Sequence, residues 1–313
     1  MSWNFYYIAR SFPGFMNLKT LGKSVAAACV GVASSVLTTQ LPAHAQSLIR
    51  DAEIEETLRE YGTPLFEAGG LNANDVDIYI VNDQSLNAFV AGGQNMFLNT
   101  GFLIQAETPG EIIGVMAHET GHMIGGHNIT RQQALGSAMG TSWIALGLGV
   151  IAIAAGAPDA GAAIIGSSQQ AAMLTFFKYT RVEEGSADQI GLSLLESTGM
   201  PADGLVSFME EIRNSEVMSV QRQDPYYRTH PEVGARISIL RQRAEQITEK
   251  SNPFPEHFFT EMDMMQAKLI GFLQPRAAFV KYPPTDLSTP ARYARAIAAH
   301  QNHDLSHALK EVE

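Results

Sequence analysis

Apolar and polar residues alternate from Val76 to Ile80, with Val76, Ile78 and Ile80 on one side and Asp77 and Tyr79 on the other. That period of two predicts a strand with one buried face. Asn95 to Asn99 predicts another strand, entered through Gly92 and Gly93. The period then lengthens: Ile112, Ile113, Val115 and Met116 recur at helical spacing behind Thr108-Pro109-Gly110-Glu111. This tetrapeptide joins a capping box to a proline at the first helical position, and Gly125-Gly126 supplies a stop, so a helix is predicted between them. A further helix is predicted around Arg181 to Asp188, and another behind Thr229-His230-Pro231-Glu232, a second capping box. Pro275, Pro283, Pro284 and Pro290 give residues 251–290 the look of a helix followed by a linker. Beyond it, Ala291 to His300 and Leu305 to Glu313 read as two short helices around Asn302-His303-Asp304. Tyr293, Ala294, Ile297, Ala308 and Leu309 are their expected packing positions. The class is α+β, mostly helical with a small sheet.

Two stretches lack charge altogether. The first runs from Ser24 to Leu41 behind Lys19 and Lys23 and ends at Ala43-His44-Ala45, the small-x-small pattern of a signal-peptidase site. Residues 1–45 therefore read as a signal peptide cut before Gln46, with Met16 as an alternative start. The only cysteine, Cys29, lies within it, and Ala26-Ala27-Ala28-Cys29 makes a poor lipoprotein signal. Export then leaves a chain without thiols, destined for the periplasm. The second stretch runs from Gln132 to Pro158, and its segment from Trp143 to Ala157 is almost wholly apolar. It is shorter than the roughly 20 apolar residues a membrane span needs and is broken by Pro158-Asp159. A buried or membrane-touching helical hairpin is the expectation, which makes residues 132–170 the segment for peripheral membrane contact. A formal net charge of −11 and the lack of any basic stripe exclude a nucleic-acid partner. The remaining chain divides into 46–250, the helix and linker of 251–290, and the helical pair of 291–313.

The chemistry is concentrated in His118-Glu119-Thr120-Gly121-His122. Histidines four apart on a helix lie one above the other and can aim two imidazoles at one metal ion, with Glu119 one step round as a general base. A catalytic zinc needs a third protein ligand and an open fourth position. His127 is one candidate, although it stands one residue early for the pattern with a third histidine ten residues after the first. Glu184 is the other. It shares a helix face with Asp188, four residues on, so that one carboxylate can bind metal while the other anchors a ligand histidine from behind. By spacing alone the same pair also reads as a solvated face. His230, at the expected first position of its helix, should be disfavoured in its protonated form by the helix dipole. A neutral imidazole there could donate to an oxyanion or take the open metal position, while a plain structural role stays open. Arg236 could pair with Asp188 or Glu183, and Tyr226 and Tyr227 read as core.

The order His118-Glu119-x-x-His122, then Glu184-x-x-Ala187-Asp188, resembles the gluzincin peptidases that include the HtpX heat-shock proteases and the CAAX prenyl proteases. It is most similar to their periplasmic BepA-like branch, which carries tetratricopeptide repeats. Asn87-Ala88-Phe89, Phe97-Leu98-Asn99-Thr100-Gly101 and Arg228-Thr229-His230-Pro231 share the likeness, which extends from about Leu48 to the C-terminus. The resemblance implies a zincin-like metallopeptidase domain and one zinc ion held by His118, His122 and Glu184. Glu119 is then the base, Asp188 supports a ligand, and His230 acts near the metal. An edge strand lining the cleft would pair with extended substrate. It further implies polypeptide substrates, misfolded or stalled envelope proteins, and makes the C-terminal pair the opening of a repeat array that contacts protein partners. A chaperone or assembly factor for outer-membrane proteins, whose binding outweighs its proteolysis, is the alternative.

Overall fold

The computed structural model describes residues 47–127, 144–153, 155–213, 230–231 and 233–313, the side chains of 168–179 excepted. The expected signal segment, residues 132–143, Tyr226, Tyr227 and the capping residues Thr229 and Glu232 lie outside the described residues. The described residues fall into two compact units, 144–166 and the rest.

In the larger unit, α1 (Ala52–Ala68) is opened by Asp51, whose carboxylate accepts from the Ile54 N–H at 3.2 Å. It buries Ile54, Leu58, Tyr61 and Leu65 along one stripe, at spacings of four, three and four. Strands β1 (Leu48–Ile49), β2 (Asp77–Val81), β3 (Ala88–Ala91) and β4 (Asn95–Asn99) form one sheet in the order β1-β2-β4-β3. The β2–β4 pair is parallel, and the outer two pairs are antiparallel. Register puts Ile78 beside Met96 and Ile80 beside Leu98, so the buried faces of the strands coincide. On the other face Tyr79, Phe97 and Phe89 stack across three strands, with ring centroids 5.0 and 4.9 Å apart. The strand predicted at Asn95–Asn99 is thus internal. The tight Gly92-Gly93 turn folds Ala88–Ala91 back against it, and that short strand is an edge of the sheet.

Helices α2 (Thr100–Gln105) and α3 (Pro109–Ile124) follow the sheet. The start of α3 is as its sequence predicts. Thr108 accepts from the Glu111 N–H at 3.3 Å, and the Glu111 carboxylate reaches back to the Glu107 N–H at 2.7 Å. Along α3 every residue from Pro109 to His122 is buried, so this is the central helix of the core. Around it stand the part of α4 (Pro158–Thr198) from residue 167 on, α5 (Asp203–Ile212), α6 (Val233–Thr248) and α7 (Glu256–Leu273). Pro275, in the stretch whose prolines suggest a linker, opens α8 (Pro275–Lys281) as its first residue, where its missing N–H has no cost. Then α9 (Thr289–Gln301) and α10 (Leu305–Val312) close the unit. Ala294, Ala298 and Ala299 of α9 are buried, and Arg295 holds α10 through Glu311, at 2.8 and 2.7 Å. Leu309, expected to pack, is 62% exposed in line with Leu305 and Val312, because α10 turns its polar Glu311 side to α9.

The smaller unit is a helical hairpin. One arm spans residues 144–153, the other is the first turns of α4, and Gly149 and Gly161 let the backbones touch. Ile144, Leu148, Ile151 and Ile153 are exposed on it. Among the described residues, no helix is long and apolar enough to cross a membrane.

Candidate metal centre

Two helices and one loop build the site. His118, Glu119 and His122 come from the C-terminal half of α3, Glu184 and Asp188 from α4, and His230 from the segment before α6. All six are buried. Close approach of α3 to α4 is what lets them meet: a Cβ on Gly121 would stand 2.5 Å from the carbonyl oxygen of Ala187. His230 is not the first residue of its helix, which begins at Val233. Pro231 follows it, and a residue before proline is pushed out of helical conformation.

Nε2 of His118 lies 3.1 Å from Nε2 of His122 and 3.4 Å from Oε2 of Glu184. Nε2 of His122 lies 3.4 Å from Oε1 of the same carboxylate. Donors bound tetrahedrally at about 2.0–2.2 Å stand about 3.3–3.6 Å apart, so these three side chains fit one divalent ion. A fourth donor is present. Nδ1 of His230 lies 3.3 Å from Nε2 of His118 and 3.0 Å from Oε2 of Glu184. Its Nε2 is 3.4 Å from Oε1 of Glu119, which brings base and fourth donor together. The ligand atoms of His118, His122, Glu184 and His230 all lie within 4.8 Å of one another.

Behind them, Asp188 Oδ1 stands 2.9 Å from His118 Nδ1, the nitrogen turned away from the cluster. Arg236 grips both Asp188 oxygens, donating from Nε at 2.7 Å and from Nη2 at 2.6 Å, and its Nη1 is 2.9 Å from Glu184. His127 is not among the clustered donors. Its Nδ1 lies 2.9 Å from Nδ1 of His122, the nitrogen that does not face them. The pairing of Arg236 with Asp188, raised from sequence, is present and extends to Glu184. Its signal was an arginine at a core position of the α6 stripe Val233, Ile237, Leu240.

These contacts set the charges. Burial opposes protonation of His118, but hydrogen bonds to Asp188 and Glu184 outweigh it and push its pKa up to about 9. Burial takes His122 down to about 3 against the pull of Glu184. Burial would raise Asp188 and Glu184, yet Arg236 and the neighbouring imidazoles win. Asp188 falls to about 2, and Glu184 is held well below the ordinary carboxylate range. Glu184 is thus a dry, ionised carboxylate, the state a metal ligand needs, whereas His118 has to give up a proton before its Nε2 can bind.

Comparison with known proteins bears on this constellation. The chain is 29% identical over 205 residues to a putative beta-barrel assembly-enhancing protease of Vibrio cholerae, covering 64% of this chain and 41% of that protein. It is 24% identical over 224 residues to the beta-barrel assembly-enhancing protease of Escherichia coli, covering 72% and 45%. The chain spans less than half the length of these relatives. Residues 50–244 match peptidase family M48, a span that contains His118, Glu119, His122, Glu184, Asp188, His230 and Arg236. Every side chain of the cluster lies inside the matched segment, and the chain belongs to peptidase family M48.

Proposed function

We propose that the chain is a zinc-dependent endopeptidase, with His118, His122 and Glu184 as the ligands and Glu119 as the general base. The observation that carries this is the spacing of the three donor side chains, 3.1 to 3.4 Å apart and buried between two helices. Nitrogen and carboxylate donors of this number suit zinc. When bound, the ion supplies a Lewis acid for the scissile carbonyl and lowers the pKa of water toward about 7. Glu119 then takes the water proton and returns it to the leaving amine. Asp188 receives the Nδ1–H of His118 and fixes that ring. His230 would supply a fourth donor to a bound ion, and displaced by substrate its imidazole would donate to the oxyanion.

The relatives' names join proteolysis to β-barrel assembly, and on that basis we assign misfolded or stalled envelope polypeptides as substrates and the periplasm as compartment. Edge strand β3 offers main-chain hydrogen bonds to an extended peptide. The exposed apolar hairpin of residues 144–166 is assigned to peripheral membrane contact, and the exposed stripe of α10 to protein partners.

Cleavage of casein by the chain from Gln46, with and without chelator, tests the assignment together with elemental analysis. Glu119→Gln should retain stoichiometric zinc and lose at least about 1,000-fold in kcat, the scale of a missing proton-transfer group or more. Cleavage by that variant at the parental rate refutes the base, and absence of transition metal refutes the class. A scaffold whose binding outweighs its proteolysis would complement a deletion strain even as Glu119→Gln.

A further inference from the structure

We propose that His127 is a positioning residue for His122, accepting the Nδ1–H of that ring on its own Nδ1 so that Nε2 of His122 is turned to the metal without a proton. The inference rests on the metallopeptidase reading above and adds a residue to it.

An imidazole that binds metal through one nitrogen carries a proton on the other, and that proton needs an acceptor to fix the tautomer and the ring plane. For His118 the acceptor is the Asp188 carboxylate, 2.9 Å from Nδ1. His122 presents Nε2 to His118 and Glu184, at 3.1 and 3.4 Å, so its Nδ1 faces the opposite way. His127 meets that atom, Nδ1 to Nδ1 at 2.9 Å, with the two rings nearly perpendicular at 80°. At 8% exposure the contact is shielded from water that would otherwise compete for the proton.

The backbone is shaped for this contact. On a continuing helix a residue five places on points about 140° away from its predecessor, so His127 could not reach His122 if α3 ran through. Instead α3 ends at Ile124, Gly125 caps it, and Gly126 takes the left-handed conformation at φ 64°, which reverses the chain. The returning imidazole then lies across Gly125, where a Cβ would stand 2.4 Å from His127 Nε2. A glycine pair that reads from sequence as a plain helix stop thus delivers a histidine to the back of a ligand. The two ligand rings are backed differently. A carboxylate stands behind His118 and an imidazole behind His122.

The test compares the wild-type chain with His127→Leu and His127→Asn, each stripped of metal and titrated with zinc alone. Nitrogen-15 spectra report the His122 tautomer. His127→Leu removes the acceptor and should weaken zinc binding about 10- to 100-fold, with His122 no longer held as the Nδ1–H tautomer. His127→Asn keeps an acceptor oxygen near the same place and should recover most of both, which a merely space-filling role would not produce. Wild-type zinc affinity in His127→Leu with His122 still Nδ1-protonated overturns the proposal, as does an Asn variant no better than Leu. Should wild type take up no zinc, the peptidase reading falls instead. The His122 tautomer in the metal-free proteins then decides the role of His127 by itself.

Discussion

His118 and His122 share one helix face and one task, yet their proton affinities are driven apart, one up to about 9 and the other down to about 3. The consequence for stability can be signed. His118 is raised above its unfolded value of 6.5, so its contribution is complete below pH 6.5 and is lost as pH rises through about 9. His122 and Asp188 are depressed, so theirs are lost as pH falls, toward about 3 and about 2 respectively. The metal-free protein should therefore be most stable near pH 6.5 and lose on the order of 3 kcal/mol by pH 9. Thermal melts of chelator-treated protein across pH 5 to 9 check this, and a melting temperature that is flat or rises above pH 6.5 defeats it. Zinc should reverse the alkaline decline, because it displaces the His118 proton most easily where that proton is weakly held. At this scale the sequence was most legible where spacing is local. His118, Glu119 and His122, like Glu184 and Asp188, need only the pitch of a helix to share a face. Arg236 reaches Asp188 across 48 positions and gave only a faint signal, an arginine on an apolar stripe. Motif spacing, which counts residues along one helix, makes His127 a candidate ligand, whereas left-handed Gly126 takes the chain off that helix.

Helix against helix, the site depends on how closely α3 and α4 approach. Gly121 lies against the Ala187 backbone, one residue before His122 on one side and one before Asp188 on the other. A methyl group there meets a carbonyl oxygen at 2.5 Å, and backbone cannot step aside as a long side chain can. Gly121→Ala should cost about 1–3 kcal/mol by overpacking. It should also weaken zinc binding beyond what that loss of stability explains, because Glu184 would be moved off both imidazoles. Differential melting with and without zinc separates the two effects, and a variant with parental zinc affinity would show that the spacing between the helices is not the constraint. The helices themselves were readable, since α3 carries its caps in Thr108, Pro109 and Gly125. Strand β3 was not, having only four residues and no room for alternation to declare itself. His230 stands outside α6, as a residue before proline is expected to.

Across the whole molecule, polar ties and apolar exposure divide the labour. The C-terminal helices join the peptidase unit because α7 serves both. Its Phe258, Met262 and Met265 lie in the main core, and Ile270 packs with Ala278 and Ala298 in a smaller one. Arg295, 1% exposed, ties the proline-rich stretch down by donating to the carbonyls of Pro283 and Asp286 at 2.9 and 2.8 Å. The hairpin of residues 144–166 is the opposite case. Ile144 is 68% exposed and Ile151 65%, in a segment whose nearest charge is Asp159. Apolar side chains left in water at this density fit the interfacial zone of a membrane. With no basic residue in the hairpin and a net charge of −11 overall, the attraction cannot be electrostatic. The chain from Gln46 should therefore float with zwitterionic vesicles as well as with anionic ones, and added salt should not release it. Changing both Ile144 and Ile151 to Glu should cut binding about tenfold or more while casein cleavage in solution stays at the parental rate. Binding that required anionic lipid, or that survived the double substitution, would remove the hairpin from the membrane and leave it as a surface for protein.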